Sequence, residues 1–231
     1  CPAGIQPIMK RVGIDELLDT DSRSPEEVAA SIHDLVNINR WFGGISSGAA
    51  MLEKVAAKLK RSRISVLEVA SGSGEVSQLV AKRLAKNAIT LDITLMDRAP
   101  SHLGNHFSRV AGDAVALPFR DDSFDVVSCN LFAHHLSAPQ LLQFAREGVR
   151  VSRAAFLIND VVRNPLHLAM VYAGLPLFRS RLTWHDAPAS VRQAYTVGEM
   201  RDMLRAIPNA SLNISRHYLF RMNLALWKLH A

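Results

Sequence analysis

Cysteine is scarce: Cys1 and Cys129 are the only two in 231 residues, with no CxxC pair and no Cys/His spacing suited to a metal. A disulfide-built scaffold is excluded, and a reducing compartment is the simpler setting. No apolar run approaches the roughly 18 residues of a spanning helix, and no charged segment with an apolar core opens the chain. A membrane-spanning or secreted protein is therefore not expected, and the expected location is cytoplasmic. In that setting the sequons at Asn209 and Asn213 carry no meaning. Internal repeats and low-complexity tracts are absent too. Hydrophobic residues make up 48% and charged residues 21%, ordinary globular usage, and the length suits one large domain with an elaboration.

The net charge of +6 is unevenly spread. Residues 1–150 are close to neutral, whereas residues 151–231 carry 10 basic and 4 acidic side chains. Such an excess could serve an acidic substrate, a nucleic acid or a membrane surface, and by itself selects none of them. A nucleic-acid site is disfavoured because the basic residues are scattered, without the interleaved aromatics that stack on bases.

Ser24-Pro25-Glu26-Glu27 has the form of a helix start, and Leu52, Val55, Ala56 and Leu59 repeat as one face of a second helix beginning near Ser46 or Ser47. Residues 1–60 are thus expected to form an N-terminal helical cap. From Ile64 short β-branched runs alternate with amphipathic helices, the pattern of a parallel sheet with crossover helices over 61–231. Strands are expected at ISVLEV, ITLDITLMD, SRVA, FDVVSCN and AAFLIND, followed by a terminal antiparallel pair. Residues 161–195 form an insertion containing LHLAMVYAGLPLF at 166–178. It is apolar nearly all round, too short to span a bilayer, and flanked by Arg163, Arg179 and Arg181. A buried helix and a lid or membrane-surface contact through 164–181 are both open readings.

The strongest chemical signal is VLEVASGSGEVS, Val66 to Ser77. A strand ends at Glu68-Val69, a turn of small residues follows, and a helix starts, so backbone amides are exposed where a ligand can approach closely. The dinucleotide pattern GxGxxG would place its third glycine at Ser77, and a carboxylate before the turn would repel a pyrophosphate. The same carboxylate can pair with an ammonium group. Asp97 closes the second strand, where an acid can take two ribose hydroxyls. Gly112-Asp113-Ala114 follows the third strand, with Asp113 placed to accept from an adenine amine. Three acids at successive strand ends converge on the crevice beside the topological switch point.

With EVASGSG, the acid of LMDRA and the block GDAVALPFRDDSFDVVSCNLFAHHL, the chain resembles the class I S-adenosylmethionine-dependent methyltransferases. Among these it is most similar to the type 11 group, which includes ubiquinone and menaquinone biosynthesis enzymes. The resemblance covers about 64–160. It implies an α/β, Rossmann-like, doubly wound seven-stranded sheet with an antiparallel last strand, and S-adenosyl-L-methionine as cofactor. It places Glu68 near the methionine ammonium, Ala70, Ser71, Gly72 and Gly74 along the cofactor, and Asp97 on the ribose, with Arg98 also among the cofactor-binding residues. Gly112, Asp113 and Ala114 would lie at the adenine, and Asn130 and Leu131 beside the methionine portion. Glu68 replaces the usual aspartate and Ala70 the first glycine.

His134 and His135 follow the fourth strand on the loop facing the expected methyl donor. Either could act as a base toward an acceptor that must lose a proton, or orient the acceptor; capping or packing the next helix is the alternative. The expected activity is methyl transfer to a small lipophilic or aromatic acceptor, with Trp41, Phe42, Tyr172, Phe178 and Trp184 as candidate walls. A nucleic-acid methyltransferase and a non-enzymatic module of the same fold are the competing readings.

Overall fold

The computed structural model describes residues 9–19, 24–100, 103–217 and 219–229. Cys1 lies outside them. Seven strands, β1 (Arg63–Val69), β2 (Thr90–Asp97), β3 (Ser108–Ala111), β4 (Phe124–Asn130), β5 (Ser152–Val161), β6 (Ala210–His217) and β7 (Arg221–Lys228), form one sheet in the order β3-β2-β1-β4-β5-β7-β6. Only β7 runs against its neighbours. The expected doubly wound sheet is therefore present. Its order reverses between β1 and β4, which opens a crevice beyond their carboxyl ends.

Helices cover both faces. On one side α2 (Gly44–Leu59) and α3 (Glu75–Ala85) bury Val55, Val80 and Leu84 against Ile64 and Leu95. On the other, α4 (Ala138–Val151) and α7 (Val197–Leu204) bury Phe144, Met200 and Leu204 against Phe156 and Leu226. The rings of Phe144 and Phe156 meet edge to face at 4.8 Å. α4 and α7 begin with the reciprocal caps Ser137/Gln140 and Thr196/Glu199, and α1 (Pro25–Trp41) begins with Ser24/Glu27. α2 starts at Gly44, two to three residues earlier than its apolar periodicity indicates, because Gly43 adopts a left-handed φ of +77° and turns the chain directly out of α1.

Above the carboxyl edge of the sheet sit α1, α5 (Pro165–Gly174) and α6 (Arg181–Gln193). α5 carries no buried residue, and Leu166 and Leu177 are 62% and 70% exposed. This corrects the buried-helix reading of 166–178: the segment leaves β5 beyond both helical layers and has α6 as its main neighbour, so much of its apolar surface finds no core to enter. α6 was not expected. Pro188 lies inside it, and proline ordinarily argues against a helix interior. α1 is fastened to this layer by Asp34, which accepts from the backbone N–H groups of Arg179 (3.0 Å) and Ser180 (2.9 Å) at the start of α6.

The basic excess of the last third is partly internal. Arg163 and Arg221 are buried, the first donating to the carbonyls of Met9 and Ala194, the second to Asn159, Asn39 and Phe42. Among the described residues no helix is long and apolar enough to cross a membrane.

Candidate active site

A cavity of about 790 Å³ opens at the carboxyl ends of β1, β2 and β4, under α1, α5 and α6. The end of β1 supplies Glu68, which is buried in its wall. Parallel register sets Glu68 beside Ser128 of β4, and the Ser128 hydroxyl donates to Oε2. Asn130, two residues further on the same strand face, donates to Oε1 at 2.6 Å. No cation pairs with this carboxylate among the described residues. Burial pushes its pKa above the ordinary glutamate range, and the two hydrogen bonds only partly oppose that.

The chain then turns through Ala70-Ser71-Gly72-Ser73 into α3. Ala70 takes a φ of +54° and Gly72 one of +51°. A Cβ on Gly72 would meet nothing within 4 Å, so its backbone faces open space, while Gly74 is held close against Leu95. Gly74 is accordingly the one expected cofactor-lining residue that does not reach the cavity; its φ of +75° serves the turn at the N-cap of α3.

Asp97 fixes this turn from the next strand. Its Oδ2 accepts from Gly72 N at 3.0 Å and its Oδ1 from Ala99 N at 3.2 Å. Ser71 N donates to the Met96 carbonyl (3.1 Å) and Gly112 N to the Asp97 carbonyl (3.0 Å), so three strand ends are laced together by backbone bonds. Asp113 holds its own turn by accepting from Val115 N at 3.0 Å. Glu68, Ala70, Ser71, Gly72, Asp97, Arg98, Gly112, Asp113, Ala114, Asn130, Leu131, His134 and His135 all border the one cavity.

Its other half is apolar, with Ile32, Leu35, Val36, Phe42, Val171 and Phe178 among the lining. Trp41 also borders it, whereas Tyr172 and Trp184 do not: the Tyr172 hydroxyl accepts from Arg192, and the Trp184 indole donates to the Phe178 carbonyl. His134 is buried, with Nδ1 2.7 Å from Asp160 Oδ1 and its backbone N–H donating to Oδ2 at 2.9 Å. Burial alone would lower the His134 pKa, but Asp160 and Glu16 outweigh it and raise it to about 10. Glu16 lies 3.4 Å from His134 Nε2 and 3.6 Å from His135 Nε2. Burial would raise the Glu16 pKa, yet the two histidines hold it below the ordinary range.

Sequence reasoning missed Ser128, Asp160 and Glu16. A serine two residues from Asn130 in an otherwise apolar strand is a signal for the first. Glu16 carries no local signal, since it reaches the site from more than a hundred residues away.

Residues 67–155 match the family model described as methyltransferase domain. No curated protein matches the chain. Solved structures share its fold. The plantazolicin methyltransferase BpumL, in complex with SAH, has a TM-score of 0.67 at 14% identity, covering 90% of this chain and 91% of its own. BamL, another plantazolicin methyltransferase, was solved with a triazolic desmethylPZN analog and SAH; it has a TM-score of 0.66 at 14% identity, covering 89% and 92%. A protein from Pyrococcus horikoshii OT3 has a TM-score of 0.59 at 16% identity, covering 84% and 94%.

The raised pKa of Glu68 gives a test of its environment. A carboxyl whose folded pKa exceeds its unfolded value costs stability progressively as pH rises from the unfolded value through the folded one. Glu68→Gln removes that cost while keeping partners for Ser128 and Asn130. Its thermal midpoint should exceed that of the parent protein at neutral pH, and the two should converge as pH falls into the ordinary glutamate range. A difference that does not change with pH would contradict the assignment. The match over residues 67–155 and the sheet order together show a methyltransferase domain on a Rossmann-like fold within this chain.

Proposed function

We propose that the chain transfers the methyl group of S-adenosyl-L-methionine to a small lipophilic or aromatic acceptor by in-line displacement. The observation that carries this reading is the buried carboxylate of Glu68, which among the described residues has hydrogen-bond donors and no cation, in a cavity where two further strand-end acids surround a glycine turn. The methionine ammonium supplies the missing charge at Glu68. Asn130 and Leu131 flank the methionine portion, and Ala70, Ser71 and Gly72 let the backbone approach the cofactor. Asp97 and Arg98 take the ribose, with the Asp97 carboxylate accepting from its hydroxyls. Gly112, Asp113 and Ala114 take the adenine at the more open end.

The apolar half under α1, α5 and α6 takes the acceptor. Displacement at a sulfonium methyl needs the acceptor aligned and water kept out, and an apolar chamber does both. His135 borders this chamber and contacts the acceptor, while His134, pinned by Asp160, positions it. The similarity to BamL and BpumL, solved with SAH and, for BamL, a triazolic desmethylPZN analog, supports room for a second small molecule beside the cofactor.

The exposed apolar surface of α5 and the turn after it, Leu166, Met170 and Leu177, lies beside the exposed cations Arg179 and Arg181. This favours contact with an anionic lipid surface through 164–181. Sedimentation with anionic vesicles should retain the protein, and Leu166→Glu with Leu177→Glu should release it; equal retention would rule the contact out.

Calorimetry with S-adenosylhomocysteine tests the cofactor assignment. Asp97→Ala removes an ionised acceptor worth about 1.5–3 kcal/mol per hydrogen bond, so affinity should fall by roughly 10–100-fold or more. Gly72→Val directs a side chain into the cofactor space and should abolish binding. Unchanged affinity in both variants of folded protein would refute the cofactor site.

A further inference from the structure

The acceptor half of the cavity brings nitrogen and oxygen ligands together. Glu16, His134 and His135 each bring one ligand atom, and these atoms all lie within 4.8 Å of one another. Glu16 precedes a short 3-10 turn, Leu17–Asp19, whose Leu17 and Leu18 N–H groups donate to Asp186 of α6 at 2.8 and 3.0 Å. Arg11 anchors the same segment from its other end by donating to the carbonyls of Gln193, His134 and Leu136. The segment is thereby strapped across the cavity with Glu16 facing the two histidines.

We propose that Glu16, His134 and His135 hold one divalent transition-metal ion of the zinc class, with a further coordination position open to the acceptor.

Geometry supports this in four ways. Metal bonds of about 2.1 Å in a tetrahedral arrangement place neighbouring ligand atoms about 3.4 Å apart. Glu16 meets each imidazole at close to that spacing through a different oxygen, Oε1 lying 3.4 Å from His134 Nε2 and Oε2 3.6 Å from His135 Nε2. Second, His134 Nε2 is buried and makes no hydrogen bond. A simple imidazolium–carboxylate pair would close to about 2.7–2.9 Å. Third, the opposite ring nitrogen, Nδ1, is held by Asp160 at 2.7 Å, the carboxylate–histidine arrangement that directs Nε2 toward a metal. Fourth, Glu16 is itself oriented, its Oε1 accepting from Ser190 Oγ at 2.5 Å and from Gln193 Nε2 at 2.8 Å. A ligand set of two imidazoles and one carboxylate suits zinc, iron or cobalt rather than magnesium or calcium, which prefer oxygen alone. All three side chains border the cavity, so an ion held by them can bind an acceptor oxygen as a Lewis acid and fix it in front of the methyl donor.

The test uses the full chain, stripped with a chelator and then titrated with Zn²⁺ alone by calorimetry and with Co²⁺ alone by visible absorption. One ion per chain is expected, with the cobalt spectrum of a low-coordinate nitrogen and oxygen site. Affinity should fall more than about 10-fold in His135→Ala and in the milder Glu16→Gln, beyond the lower range for losing an outer-shell partner. It should be unchanged in His106→Ala, an exposed histidine away from the cavity. Circular dichroism confirms that each variant is folded. Absence of stoichiometric binding in the parent protein, or equal binding in Glu16→Gln and His135→Ala, overturns the proposal and leaves an ionic contact of the histidines with Glu16. S-adenosylhomocysteine binding, measured on the same samples, reports separately on the methyl-donor site.

Discussion

A carboxylate taken out of water at the end of a central strand is costly unless something compensates its charge. Glu68 is in that position, and among the described residues its partners are two neutral donors, Ser128 and Asn130. The sheet could have avoided the cost by placing a basic side chain nearby, yet Arg221 and Arg163, the buried cations of this end of the molecule, are committed to other partners. The fold therefore carries an unfavourable electrostatic arrangement at the place where a ligand ammonium would relieve it. Catalytic and binding sites are the usual home of such arrangements. On the proposed function, the remaining features of the crevice depend on this one, because they shape the space beside Glu68 for a ligand that bears a positive charge at one end.

Some of the strained backbone positions border the same space. Ala70 and Leu131 both adopt left-handed φ values, +54° and +51°, where the chain leaves β1 and β4. Each costs of order 1–3 kcal/mol for a residue with a side chain, and each is held by its surroundings. Ser71 is tied to β2 through the Met96 carbonyl and Leu131 to β5 through the Asn159 carbonyl. The strained turns remain in place because neighbouring strand ends bind them. The roof is built differently. α1, α6 and the segment around Glu16 meet through polar contacts of long sequence separation, such as Asp34 to Ser180 and Asp186 to Leu17, rather than through a continuous apolar core.

How much of this was readable from sequence follows from how local each signal is. The central strands are runs of β-branched residues bounded by charged or small ones, and both helix caps and the EVASGSG turn depend on residues a few positions apart. They were legible, as was the convergence of Glu68, Asp97 and Asp113, because strand ends in a parallel sheet share one edge. Gly74 shows the limit of a motif: it stands in the turn but serves packing against Leu95. Glu16 could not be found, because nothing near it in sequence distinguishes it from other acids. The exposure of 166–178 was equally hidden, since an all-round apolar segment reads alike whether it is buried or lies over a cavity mouth. α6 was concealed by Pro188.

The central claim is that a positively charged group belongs beside Glu68. A crystal structure of the chain grown with S-adenosylhomocysteine tests it most directly. The account predicts the ligand amine within hydrogen-bond distance of the Glu68 carboxylate and the ribose hydroxyls on Asp97. A ligand found elsewhere in the molecule, or bound in the crevice with its amine turned away from Glu68, would contradict it.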